Sequence, residues 1–300
     1  MTITKPLDED MLCGAGMCYP TCLQKCGNIT CYAVCYGLTV LVTNALNVYI
    51  SSQITTIEKQ FNLSSSQSGL ILGCNDIGFI LTVLFVSHFG IRYRIPRVLS
   101  LFTIIYGLSG IATSLIQLAS GYKMPSNSHR FDNVRNNTDD TLCIPDREPF
   151  FACDNKGLDK RSTESSSSQT VFVLLCIFMG IQGVGKTPRS SLGTFYIDNN
   201  VPDKTRTGFY LGISTTLGLF GPFLAIILGG LFGKIPVDLK EVAIDPKDKR
   251  WVGAWWIGFL LFGILAVVTA IPLAFFPRRL VSVSNDKIKD KSELSKPLWL

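Results

Sequence analysis

Charge is what this chain has least of. Asp, Glu, Lys and Arg make up 17% of its 300 residues, where soluble domains carry about a quarter. Histidine is almost absent, with His88 and His129 far apart in the chain, and no nucleophile, base and orienting group converge in the pattern, so an enzyme reading has no support. The cysteines include no Cys-x-x-Cys pair, which argues against zinc at Cys13, Cys18, Cys22 and Cys26. The first ten residues are polar and acidic, without the basic start and apolar core of a cleavable leader. The net charge of +6 does not point to nucleic acid, because the basic residues flank apolar blocks and form no basic face interleaved with aromatics. No cofactor and no metal site is expected.

What the chain has is apolar sequence, 47% of it, gathered into six blocks. They cover 29–50, 69–89, 98–121, 170–197, 208–233 and 251–276, each near or above the roughly twenty residues that span a hydrocarbon core. Lys and Arg in short loops set orientation. Arg92, Arg94 and Arg97 follow the second block, and Arg278, Arg279, Lys287, Lys289, Lys291 and Lys296 follow the sixth. This pattern predicts a multi-pass all-α protein with both termini of this chain cytoplasmic and the loop 122–169 outside. Lys234, Lys240, Lys247, Lys249 and Arg250 in the third outer loop run against the rule. The sequon at Asn136 falls on the predicted outer side and that at Asn62 in the short first outer loop. Cys143 and Cys153 share the outer loop and are candidates for a disulfide, the alternative being two free thiols.

Residues 180–187, Gly-Ile-Gln-Gly-Val-Gly-Lys-Thr, match the phosphate-loop pattern. That reading is rejected, because the flanking segments are membrane-length and supply neither further strands nor a magnesium-binding aspartate. Lys186 and Arg189 then become cations inside a span, where each costs a few kcal/mol. Either they line an aqueous path or they snorkel to the inner surface, which Arg189 is placed to do. Asn44 and Asn47 in the first span and Asn75 and Asp76 in the second are the other polar candidates. Interhelical hydrogen bonding is the plainer account of the three amides, whereas Asp76 demands a partner or water. Gly69-x-x-x-Gly73 and Gly208-x-x-x-Gly212 suggest close helix packing.

From Asp248 the chain reads Asp-Lys-Arg250-Trp251-Val-Gly253-Ala254-Trp255-Trp256-Ile-Gly258, with three tryptophans in six residues. This resembles the signature of the organic anion transporting polypeptide family, of the major-facilitator type. Similar stretches are Thr55–Glu58, Ser65–Ile71, Asp76–Gly78, Phe85–Ser87, Thr187–Pro188 and Tyr196–Asp198. On their own terms the tryptophans suit a membrane boundary, and Arg250 beside Trp255 and Trp256 can offer a cation to a substrate. The resemblance implies a six-helix half of a major-facilitator fold. It also implies sodium-independent transport of large amphipathic anions (steroid conjugates, bile salts, eicosanoids, thyroid hormones) by alternating access in the plasma membrane. On this reading residues 1–28 are a cytoplasmic tail, 29–276 the bundle with the signature at 248–260, and 277–300 a tail or the start of a linker between halves. The expected partners are membrane lipid, organic anions and a missing C-terminal half, since the family has twelve spans and this chain has six. The alternative is a short, non-transporting isoform that acts as a partner or scaffold.

Overall fold

The computed structural model describes residues 13–14, 24, 27–120, 157–201, 203–239 and 251–280, with side chains placed from 168 onward in the second half. Asn136, Cys143, Cys153, Asp248 and Arg250 lie outside the described residues. The helices are α1 (Ile29–Phe61), α2 (Ser65–Gly90), α3 (Ile95–Ser120), α4 (Gly157–Pro188), α5 (Thr194–Asn200), α6 (Thr207–Phe232) and α7 (Trp255–Ala274). A π-helical turn at Arg189–Gly193 joins α4 to α5, so these three pieces form one span. Among the described residues six helices are long and apolar enough to cross a membrane. The protein is an all-α membrane protein, in which every backbone polar group must be satisfied within its own helix.

The helices run past the apolar blocks. α1 continues through Glu58 and Lys59 to Phe61, where Asn62 ends it in the left-handed conformation at φ 51°. Three residues later α2 starts on a capping box, the Ser64 side chain accepting from the Gln67 amide while Gln67 reaches back. The last apolar block becomes helical only at Trp255, because 251–254 are outside any helix and Gly253 bridges to Pro236. In the fourth span Pro188 has no N–H to give, and the chain takes up the wider π turn immediately after it. The phosphate-loop match at 180–187 lies inside α4, its amides engaged in helix.

Packing repeats itself within the chain. α1 lies against α6 as α4 lies against α2, α1 against α7 as α4 against α3, and α3 packs on α7. Exchanging the first three spans for the last three therefore maps the first two pairs of contacts onto each other and the α3–α7 contact onto itself, the internal repeat expected of a major-facilitator half. Each pair meets at glycine. A Cβ on Gly183 or Gly78 would sit 2.0 Å from the Asn75 carbonyl oxygen or 2.3 Å from that of Gly180, and one on Gly221 would sit 2.4 Å from the Leu41 oxygen. By contrast Gly69, Gly73, Gly208 and Gly212 face open space, with nothing within 4 Å. The small-residue spacing expected to join helices marks instead the unpartnered faces of α2 and α6, the least buried spans, at 11% and 22%.

Two apolar clusters fill the bundle ends. One gathers Tyr49, Phe61, Met179, Trp255 and Phe259 near the α1–α2 turn. The other gathers Tyr32, Tyr196, Leu273 and Phe276 at the end where α1 begins. Along each of α1, α3 and the fourth span the stretch between the two clusters carries polar residues: Thr39 and Thr43, Thr103, then Gln182, Lys186, Thr187 and Arg189.

Candidate functional site

This middle layer brings together several of the polar residues singled out from the sequence. Lys186 sits one turn before the π turn, on the face of α4 that crosses α2. The glycines at 180 and 183 bring the two backbones into contact there, so a lysine three residues beyond Gly183 reaches the neighbouring helix. Its ammonium donates to Asp76 Oδ1 at 2.9 Å and to Asn75 Oδ1, and it lies 5.4 Å from the centroid of the Phe79 ring. The lysine side chain is 14% exposed and the Asp76 side chain 75%. Neutralising each other removes most of the cost of two charges at membrane depth. Asn75 is buried and also donates to the Met179 carbonyl at 3.4 Å, holding it against α4. One turn further on, the hydroxyls of Thr82 and Thr187 meet at 2.9 Å.

Beside the pair is a cavity of about 100 Å³ lined by Asn47, Ile50 and Ser51 of α1, Leu72, Asn75 and Asp76 of α2, and Met179 of α4. Asn47 thus faces the same space as Asn75 and Asp76, whereas Lys186 is not part of the cavity wall. Asn44 does not: its amide donates to the Gly218 carbonyl of α6 at 3.1 Å, the interhelical bond anticipated for such a residue.

Arg189 opens the π turn and donates to the Thr43 hydroxyl of α1. Its own carbonyl accepts from Tyr36 Oη at 2.7 Å, and the Thr43 carbonyl accepts from Tyr106 Oη at 2.9 Å. No carboxylate pairs with Arg189 among the described residues. Thr43, Tyr36, Tyr106 and Phe79 were not singled out from the sequence. The turn spacing of Thr39 and Thr43 in an apolar helix was the available signal, whereas aromatics in spans look like any other lipid-facing or core residue.

The signature tryptophans lie elsewhere, at the end with the α1–α2 turn. Trp255 is fully buried, donates to Gln60 Oε1 at 2.6 Å and offers its carbonyl to Tyr49 Oη at 2.8 Å. Trp251 donates to the Gly233 carbonyl at 2.7 Å and Trp256 to that of Val237 at 3.1 Å, while Lys59 caps the Trp251 carbonyl at 2.8 Å. Together they tie the segment between α6 and α7 to the end of α1. Neither Trp255 nor Trp256 lines the cavity beside Lys186.

A model of the organic anion transporter polypeptide family matches residues 31–297. The human solute carrier organic anion transporter family member 1B3 is 31% identical over 264 residues, which is 85% of this chain and 37% of that protein. Human member 1C1 is 30% identical over 292 residues, covering 93% of this chain and 40% of the relative. Rat member 2B1 is 32% identical over 264 residues, 84% of this chain and 37% of the relative. The chain therefore spans well under half the length of the curated relatives it matches.

Proposed function

The chain belongs to the organic anion transporter polypeptide family, a family of transporters and not enzymes, and from that premise we propose that it is the first six-span half of a plasma-membrane transporter. It moves large amphipathic anions without sodium by alternating access. The observation that carries the site is the Lys186–Asp76 pair: a cation placed within a span, beside a cavity, next to helix faces that nothing in the chain covers. An ammonium so placed draws organic anions electrostatically, and a low local dielectric strengthens the attraction. The glycine faces of α2 and α6 are where a second six-span half would close the substrate path. Steroid conjugates, bile salts, eicosanoids and thyroid hormones are the substrate class.

Uptake of a radiolabelled steroid sulfate by the twelve-span protein tests the site. Lys186→Ala should raise KM about tenfold at near-normal surface abundance, the scale of one lost charge-assisted contact of about 1.5 kcal/mol, and Lys186→Arg should restore part of it. Parental uptake by both variants would remove Lys186 from the path. Residues 1–300 expressed without a second half should carry no anion; saturable uptake by them alone would refute the half-transporter reading.

The topology proposal puts both termini of this chain in the cytoplasm and Asn136 outside, with Cys143 and Cys153 joined in the same loop. Asn136→Gln should then abolish most of the glycosidase-sensitive mobility shift. Asn62 is exposed but only three residues separate its two helices, too close to the bilayer for transfer. An unchanged shift in Asn136→Gln would move the sugar to Asn62 or put the long loop inside.

A further inference from the structure

The two partners of Lys186 are held very differently, and the difference points to a built-in exchange of anions. An ammonium has three donors. Here one goes to Asn75, one to Asp76, and the ring of Phe79 lies alongside at 5.4 Å. Two of the three donors are thus filled, and an incoming anion that exchanges with a partner takes one of these two places. Asn75 is not the place: it is 6% exposed and bonded a second time to the Met179 carbonyl. The Asp76 side chain is 75% exposed and, among the described residues, its one hydrogen bond and ion pair is that to Lys186. It stands on the unpartnered face of α2, in helical register with Gly73 and with Ile80, whose exposure is 65%.

We infer that Asp76 is an internal counter-anion that substrate displaces from Lys186, and hence a positioning residue that sets substrate affinity. The inference rests on the reading that Lys186 draws the transported anion. A carboxylate or sulfate head takes the position of the Asp76 oxygen, while Asn75 keeps the ammonium in place. The released side chain turns toward the adjoining cavity, where the Asn47 amide and the Ser51 hydroxyl are the donors on its wall. One anion replaces another on the same cation, so the ammonium never stands unpaired at membrane depth, where it would cost several kcal/mol. The ligand class is a monoanionic head on an apolar body, able to match a single carboxylate. The unpartnered apolar residues of α2 that flank Asp76, Ile77 and Ile80 among them, suit the body.

The test is saturable uptake of a radiolabelled steroid sulfate by the twelve-span protein, normalised to surface abundance. If Asp76 competes, removing its charge helps the substrate: Asp76→Asn and Asp76→Ser should each lower KM about threefold to fivefold, the worth of a largely exposed ion pair. Asp76→Glu, which keeps a competing carboxylate, should stay near the parent. In a Lys186→Ala background Asp76→Asn should no longer lower KM. A raised or unchanged KM in both neutral variants, with Lys186→Ala still raising it, would show that Asp76 orients the lysine and does not compete. Loss of both neutral variants from the surface would also overturn the exchange, because a carboxylate the fold depends on is not one that substrate displaces. An unchanged KM in Lys186→Ala alone marks the separate failure of the reading beneath.

Discussion

Gly183→Val should leave little folded protein in the membrane. A Cβ at this position would meet the Asn75 carbonyl oxygen at 2.0 Å, the Asn75 carbonyl carbon at 2.9 Å and the Phe79 amide nitrogen at 2.9 Å. All three are backbone atoms, so no rotamer change relieves the clash and the helices themselves must part. Separation of α2 from α4 breaks the contacts that span the same crossing: Lys186 to Asp76 and Asn75, and Thr82 to Thr187. Overpacking of a tight core costs about 1–3 kcal/mol and sometimes more, and a branched side chain against backbone belongs at or beyond the top of that range. Total stabilities are of order 5–15 kcal/mol, so the monodisperse fraction after detergent extraction should fall several-fold. Gly73→Val, on the open face of the partner helix α2 with nothing within 4 Å, is the control and should extract like the parent when residues 1–300 are expressed alone. Equal extraction of the two variants would show that the α2–α4 crossing is looser than the contacts imply.

These two glycines also mark the limit of what the sequence could say. Six spans were legible because hydrocarbon thickness imposes a length, and a stretch such as 255–274 carries that length in its composition. Helix ends were not, because beyond the apolar block hydropathy falls silent while hydrogen bonding continues, as α1 does through Glu58 and Lys59. The Gly69–Gly73 and Gly183 spacings look alike in one dimension, and only the crossing of α2 with α4 decides which glycine meets backbone. Lys186 and Asp76 could each be flagged as costly within a span, yet 110 residues separate them and no local pattern joins them. The tryptophans advertised their importance by density. Their neighbours Gln60 and Tyr49, which decide what they do, lie on α1 and carry no comparable signal.

Trp255→Ala should cost the protein most of its surface abundance without altering the affinity of what remains. The side chain is fully buried and packs edge-on against Phe61 and Phe259, with ring centroids 6.2 Å and 5.8 Å away. Truncating a buried aromatic to alanine costs about 3–5 kcal/mol. The indole N–H also satisfies Gln60 Oε1, and Gln60 in turn donates to Gln117, linking α7, α1 and α3 at the end with the α1–α2 turn. Alanine leaves that buried acceptor orphaned, at about 1–3 kcal/mol more. Trp255→Phe separates the two contributions: it keeps most of the ring packing and loses only the donor, so surface abundance should fall modestly. Surface biotinylation alongside labelled steroid sulfate uptake resolves the roles. With Trp255 fixing the α1–α7 junction, both variants keep the parental KM per surface molecule, since the indole has no exposed area to offer a substrate in this arrangement. A Trp255→Phe protein with normal abundance and a several-fold change in KM would instead place the indole in the substrate path, and would mean that the loop between α6 and α7 opens during transport to uncover it.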